Sequence, residues 1–528
     1  MVPNLSNGSK NGHNVSYANL TPDKNASVRV LFAYFPTEKD GFLCLSQQRF
    51  SKYRGDATLM YPVVPATGLT MLKQAGYEVF FLDCIYDQLT PDQFMDRIRI
   101  IQPDLIVYET KTPVIMQNWR MVDRIKKENP DVKIAVCGDH VSVLPEESMM
   151  NSKVDYILMG GDFDVAMFEL VKFMEGKRKT LPEGVFFRNG KQIKNTGQAK
   201  LIPNLDDLPF IDRDIIPWQN YGEGWRLHDE FMYSLASRGC VYKCSFCSWP
   251  QMLYNNTVRF KSVKNTVDEM EFDMKKYGVK EIFFDDDTFT YNRQWVFDFC
   301  KDIKQRGLNI RWGINGRVDN TDKAMCDAMA DAGCSMIKYG IESGSQRTLD
   351  TIHKGYKVED IYRSFKLSKE AGILRHGTTM IGYPWETKQD MWDTINLVKA
   401  LDVDTIQFSI PVAYPGTKLF SDAVKHNWLR FKPGDWEKFD MAEPSLINEN
   451  MSSEEIVEMC KTAFREVYFS PKFIMHKFYG MRNPTHVRWI YRGVKTVVGG
   501  HIAGLSNSLD YEKEHGRYSE EQPIPVVN

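Results

Sequence analysis

No run of apolar residues in this 528-residue chain approaches the ~18 that cross a bilayer as a helix. The first residues also carry no hydrophobic stretch of the kind a signal peptide needs. We therefore expect a cytoplasmic protein, soluble or peripheral to a membrane. Neither sign of charge is in excess: 67 Lys and Arg stand against 69 Asp and Glu, so nothing global points to nucleic acid. The ten cysteines show none of the regular spacing of a disulfide framework, which fits a reducing compartment. Residues 1–27 are rich in Asn, Ser, Gly and Lys and have few side chains to bury, and they read as a disordered tail.

Two successive strand–helix alternations follow. Apolar runs at Val28–Phe35, Val79–Asp83, Asp104–Tyr108, Ile134–Cys137 and Tyr156–Met159, separated by helical patterns, predict a parallel sheet covered on both faces over residues 28–178. Residues 179–231 are Pro- and Gly-punctuated and read as a linker with a small hairpin, Gly184–Phe187 to Gln192–Ile193. A second alternation spans residues 232–436, with strands at Glu281–Phe284, Ile310–Ile314, Met336–Tyr339, Gly377–Ile381 and Thr405–Ser409. It predicts a partial (β/α)6 barrel with its chemistry at the C-terminal strand ends. Residues 437–510 read as a helical domain and 511–528 as a tail, so the fold class is α/β with a helical C-terminal region.

The chemistry-bearing motif lies at the start of the barrel. Cys240, Cys244 and Cys247 place three thiols in one loop, with the aromatic Phe246 before the last. Closed zinc sites and most iron–sulfur clusters take four protein ligands, so three thiolates on a cubane cluster leave one iron open. A zinc loop completed from Cys300, Cys326 or Cys334 is the alternative. Those three, however, sit singly in helix- or strand-like segments without paired spacing. Beyond predicted strands lie Asp285-Asp286-Asp287, Asn315-Gly316-Arg317 and Gly340-Ile341-Glu342-Ser343-Gly344.

The CxxxCxxC spacing resembles the signature of the radical S-adenosylmethionine (SAM) superfamily. The resemblance implies a 4Fe-4S cluster whose open iron chelates SAM, and a 5′-deoxyadenosyl radical that takes hydrogen from unactivated carbon. It implies SAM contacts for Phe246, Asp285, Asp287, Arg317, Glu342, Ser343 and Gly382, the last within a GxPxET-like turn at Gly382–Thr387. The first domain is similar to the cobalamin-binding Rossmann-like domain of one large branch of that superfamily, which implies cobalamin contacts for Thr110, Gly138, Asp139, His140, Gly160 and Gly161. His140 reads equally well as a structural loop histidine. Where a cobalt-ligating DxHxxG motif would fall, residues 37–42 hold no histidine, so cobalamin without a protein imidazole beneath it is expected. Met159–Asp164 departs from a GEGE-like stretch, which leaves a cofactor-free domain open.

Segments Cys244–Gln251, Phe283–Thr290 and Asp404–Gln407 with Tyr414–Thr417 resemble the hopanoid-biosynthesis radical SAM enzymes of the HpnJ type, and more distantly the anaerobic magnesium-protoporphyrin ester cyclase. The resemblance implies radical remodelling or cyclisation of a small-molecule or lipid substrate, fed by a donor such as flavodoxin or ferredoxin. A methylcobalamin-using C-methyltransferase is the alternative. A methylthiotransferase with a second cluster on Cys44, Cys84 and Cys137, and a non-enzymatic binding module, stand behind both. Residues 470–508 hold six Lys and Arg, no acid and several aromatics. They suggest contact with an anionic membrane surface, or a helix packed on the barrel with solvated cations.

Overall fold

A computed structural model describes residues 16–18, 20–23, 25–37, 42–43, 53–54, 59–441 and 444–480. The expectations for residues 1–15, residues 38–41, Cys44, the basic segment from residue 481 onward and the tail 511–528 lie outside the described residues.

The first sheet has seven strands, in the spatial order Glu78–Asp83, Arg29–Tyr34, Leu105–Thr110, Lys133–Gly138, Tyr156–Leu158, Val185–Asn189 and Gln192–Asn195. The first five are parallel. Their apolar runs are continuous because both faces are covered. Val30, Phe32 and Tyr34 enter one core with helices Val63–Gln74 and Phe163–Met174, while Leu31 and Ala33 enter a second with Pro91–Ile101 and Ile115–Glu128.

Two expectations are corrected here. The hairpin assigned to the linker is part of the sheet: Val185–Asn189 pairs antiparallel with Tyr156–Leu158 through Tyr156 with Phe187 and Leu158 with Val185. Val185 and Phe186 are buried there, which a strand beside an uncovered edge gains and an isolated hairpin does not. The tail assignment also fails at its C-terminal end. Tyr17 is buried, its N–H donates to Asp207 O (2.6 Å), and its ring packs edge-on against Phe168 (5.7 Å between centroids). Composition averaged over 27 residues concealed one anchoring aromatic.

The second sheet runs in chain order, Phe231–Ser234, Glu281–Phe284, Arg311–Gly316, Cys334–Glu342, Leu374–Met380 and Thr405–Ser409, with every neighbour parallel. This is the expected six-stranded partial barrel. Crossover helices begin at polar caps, with Ser262, Asn292, Asp322 and Thr387 each accepting from a backbone N–H of the first turn, and Thr417 caps the helix after the last strand in the same way. The open edge at Thr405–Ser409 is covered by helix Ser453–Tyr468, where Tyr468 Oη accepts from Ile406 N–H (3.0 Å) and donates to Ile406 O (2.7 Å). One phenol thus satisfies both ladder groups of an edge residue. Among the described residues no helix is long and apolar enough to cross a membrane.

Candidate active site

Strand Ser237–Gly239 pairs antiparallel with Val258–Phe260 and delivers the chain to Cys240. Gly239 has φ +89°, and a Cβ there would lie 2.1 Å from the Thr257 carbonyl oxygen, so the turn into the loop requires glycine. Backbone bonds tie the loop down. Ser245 N–H donates to Ile352 O (2.9 Å), Leu419 N–H donates to Ser245 O (2.8 Å), and the Gln251 amide donates to the carbonyls of Cys244 and Cys247 (3.0 and 2.6 Å).

Cys240, Cys244 and Cys247 all line one cavity of about 250 Å³ at the C-terminal mouth of the barrel. Among the described residues no three His, Cys, Asp or Glu side chains converge on a single metal-ion position. One zinc needs its ligand atoms within about 2.3 Å, whereas the thiolates of a cubane cluster each hold a different iron. Three thiols in one loop, with no fourth ligand beside them among the described residues of the cavity lining but carboxylates, are a donor set that fits a cluster. The downstream thiols are engaged elsewhere: Cys326 meets Ser368 Oγ (3.8 Å), Cys334 donates to Met336 O (3.7 Å), and burial pushes Cys300 up to about 12. Cys137 donates to Tyr108 O (3.5 Å), and burial raises both it and Cys84, which gives no support to a second cluster.

Phe246 of the cysteine loop and Asp285, Asp287, Arg317 and Glu342, at or just beyond the ends of barrel strands, line the same cavity. Asn315 donates to Asp285 (2.9 Å) and to Asp286 O (3.0 Å), fixing the acidic turn. Asp286 itself points away from the cavity. It accepts from Ala236 N–H (3.1 Å) and Ser237 Oγ, and burial pushes its carboxyl up to about 7 against those bonds. Arg317 is bidentate on Asp319 (3.0 Å each), donates to Lys354 O (2.7 Å) and lies 3.9 Å from Cys244 Sγ, with Tyr242 beneath its plane (3.5 Å). Burial disfavours its charge and Asp319 more than offsets that.

Glu342 occupies φ +60°, a conformation that costs a non-glycine residue about 1–3 kcal/mol unless its surroundings impose it. The backbone there turns locally, Ser343 N–H donating back to Ile341 O (2.8 Å) at the register shift between Gly340 and Glu342, and Lys354 Nζ lies 2.7 Å from Glu342 Oε1 and 5.7 Å from the Phe246 ring. Burial opposes the Lys354 charge, and the Glu342 carboxylate overrides it, raising the ammonium pKa. Lys354, Tyr242 and Lys338 were missed by motif reasoning. Tyr242 was visible inside the cysteine loop, but the two lysines carry no local signal.

Ser343 and Gly382 do not line the cavity. Ser343 Oγ contacts Thr394 Oγ1 (3.2 Å) and accepts from Ser345 N–H (3.1 Å), fully buried. Gly382 has φ +108° and donates its N–H to Glu386 (2.8 Å), as does Tyr383 (3.1 Å). The GxPxET turn is thus held by its own buried glutamate.

The first domain faces the same cavity through Lys111, Pro113 and Asp139. These residues follow adjacent strands, Leu105–Thr110 and Lys133–Gly138, beside the point where strand order reverses around Arg29–Tyr34. Open α/β sheets take ligands in that crevice. Lys111 and Asp139 offer polar groups and Pro113 an apolar edge that would border a corrin held there.

The other expected cobalamin contacts are occupied by protein. Thr110 accepts from Asn118 (2.8 Å), and a Cβ on Gly138 (φ +121°) would meet Thr110 O at 2.0 Å. His140 is fully buried, with Nδ1 at Thr112 Oγ1 and Nε2 at Glu147 (3.1 Å each) and its ring against Trp436 (5.3 Å), which is the structural reading of this residue. Gly160 and Gly161 form a domain seam: added Cβ atoms would meet Ala199 at 2.8 Å and the Tyr254 ring at 2.1 Å. The adjoining Asp162 and Asp164 pair with Arg238 and Arg259.

Comparison with known proteins agrees with this geometry. Residues 69–166 match the B12 binding domain and residues 234–398 the radical SAM superfamily. This chain is a radical SAM enzyme with a B12-binding domain. Its cofactors are accordingly a 4Fe-4S cluster, SAM and cobalamin. The enzyme is 29% identical over 416 residues to an uncharacterized methyltransferase of Pyrococcus horikoshii, covering 78% of this chain and 89% of that protein. It is 24% identical over 418 residues to the anaerobic magnesium-protoporphyrin IX monomethyl ester cyclase of Rubrivivax gelatinosus, covering 77% and 73%. In fold it is similar to the cobalamin-dependent SAM radical enzyme OxsB (TM-score 0.66, 16% identity, 93% of this chain and 75% of that one). It is also similar to the radical SAM methyltransferase TsrM of Kitasatospora setae (TM-score 0.65, 15% identity, 92% and 100%).

Proposed function

We propose that this enzyme is a cobalamin-dependent C-methyltransferase acting on a polar small molecule. One observation carries the proposal: the three thiols of the barrel and Lys111 and Asp139 of the first domain line a single cavity, so both cofactor surfaces reach one substrate. The methyltransferase relative supports the same reading. When bound, the cluster and SAM supply reductive SAM cleavage and hydrogen abstraction from carbon, and cobalamin supplies carriage of a methyl group.

The chain's own residues define the rest. Arg317 places a fixed positive charge beside the Cys244 sulfur, 3.9 Å from it. The Glu342–Lys354 pair presents a carboxylate suited to accept from hydroxyls, with its charge balanced inside the wall. Parallel register sets Asn315 beside Lys338, and Thr378 beside Gln407. With Ser409 they place hydrogen-bonding groups along the barrel side of the cavity, where they can meet polar groups of a substrate. Met380 and Val412 supply the apolar wall that excludes water there.

Anaerobic incubation with methyl-labelled SAM, reductant and a small-molecule extract of the source cells tests the proposal. Transfer of label to product, with S-adenosylhomocysteine formed alongside 5′-deoxyadenosine, is expected. Deoxyadenosine and product without either sinks methyl transfer and favours the remodelling or cyclisation suggested by the cyclase relatives. The lipid, hopanoid-like substrate and the membrane contact have no support among the relatives named above. We assign electron delivery to a small redox protein of the flavodoxin or ferredoxin class.

A further inference from the structure

Side chains of a strand alternate between opposite faces, and in Ser237–Gly239 each face is claimed by a different domain. Ser237 Oγ donates to Asp286, at the end of a barrel strand. Arg238 points the other way, into the B12-binding domain. Its Nη1 donates to Asp162 (3.0 Å) and Asp164 (3.1 Å), and its Nη2 to Asp164 (2.6 Å). Arg259, the register partner of Arg238, adds two bonds to Asp162 (2.5 and 3.0 Å). Arg238, Asp162 and Asp164 are each no more than 5% exposed. Gly161 closes the seam against Tyr254, and Gly239 leads straight to Cys240.

An apolar seam would join two domains at least as stably, because buried charges are costly to desolvate. A guanidinium fork on two carboxylates adds direction and register, which greasy packing does not supply. The residue that receives this register is two positions from the first thiol.

We propose that Arg238 is a positioning residue: held by Asp162 and Asp164, it sets the separation between the cluster loop and the B12-binding domain, so that both cofactors address one substrate position. The purpose rests on the two-cofactor reading of the cavity; the clamp itself does not. Losing a charge-assisted bond here frees the hairpin on the first-domain side while the Asp286 tether and the three thiols remain.

The test compares the parent enzyme, Asp164→Asn and Arg238→Lys, each reconstituted anaerobically and checked for folding, iron and cobalamin content. Microwave power saturation of the reduced cluster, with and without cob(II)alamin, reports cluster–cobalt proximity. We expect undiminished iron, a weaker cobalt-induced relaxation enhancement in Asp164→Asn, and an intermediate value in Arg238→Lys, which keeps the charge but not the fork. An enhancement equal to the parent's in folded, doubly loaded variants overturns the proposal. Should Asp164→Asn not fold, the more peripheral Arg259→Lys is judged by the same measurement.

If the parent holds no cobalamin, the methyl-transfer reading falls on its own, and the clamp is judged by hydrogen exchange. Loss of about 1.5 kcal/mol of charge-assisted bonding speeds local opening about tenfold. Peptides covering residues 159–166 and 237–247 are expected to exchange together at that faster rate. Unchanged exchange in residues 237–247 overturns the proposal.

Discussion

Replacing Gly239 with alanine isolates what the entry to the cysteine loop requires. Two costs are present at this position. An L-residue at φ +89° loses about 1–2 kcal/mol to its own backbone. The added Cβ also stands 2.1 Å from Thr257 O, so the paired strand must retreat by about 1 Å, a displacement in the range where overpacking costs about 1–3 kcal/mol. Gly372 supplies the control, because it has φ +79° with nothing within 4 Å of its Cβ position. Gly372→Ala should therefore show the backbone cost alone, a fall in Tm of about 2–4 °C per kcal/mol for a domain of this size. Gly239→Ala should melt several degrees lower still. Because Gly239 runs straight into Cys240, the variant should also load less iron and sulfide on anaerobic reconstitution. Thermal melts of the apoproteins and iron and sulfide per chain decide the matter. A Gly239→Ala protein that melts with Gly372→Ala and fills like the parent refutes the reasoning.

Alanine at Cys240, Cys244 or Cys247 should abolish the iron content of about four per chain expected for one cubane cluster. Alanine at Cys300, Cys326 or Cys334 should leave iron unchanged, which elemental analysis checks. Burial pushes the Glu386 carboxyl up to about 7 even though Gly382 and Tyr383 donate to it. Its folded-state pKa thus exceeds the unfolded value, so its contribution to stability is full below about pH 4.5 and declines as pH rises through about 7. Glu386→Gln should flatten the Tm profile across that window, since the Ser343 and Thr348 hydroxyls can turn to accept from an amide; an unaltered slope counts against this assignment. Lys354→Met strands the Glu342 carboxylate and should cost near the lower end of about 3–5 kcal/mol, because the pair borders the cavity. Adding Glu342→Gln should recover most of that loss, and a double-mutant cycle in melting temperature would expose independence of the two sites.

Much of the architecture was legible from local pattern. Strands buried on both faces must be continuously apolar, which is why Arg29–Tyr34, Leu105–Thr110 and Glu281–Phe284 stood out within a residue or two of their observed ends. The thiols were equally legible, since ligand chemistry demands cysteine and the loop brings three into one short segment. Ser343, Gly382, Gly160 and Gly161 look the same in sequence whether they face a ligand or their own protein. Only the positions of Glu386, Ala199 and Tyr254 show that protein fills that space.

By itself, then, the sequence determined which segments are strands and helices, and that three thiols share a loop able to hold a cluster. Those properties depend on residues a few positions apart. Tertiary structure decided that Lys354 sustains Glu342 and that His140 belongs to a buried network. It also decided that Asp162 and Asp164 clamp Arg238 rather than mark a lost motif. Each of those outcomes rests on charges and hydrogen bonds between side chains that only tertiary packing brings within about 3 Å of one another, a distance to which local periodicity is blind.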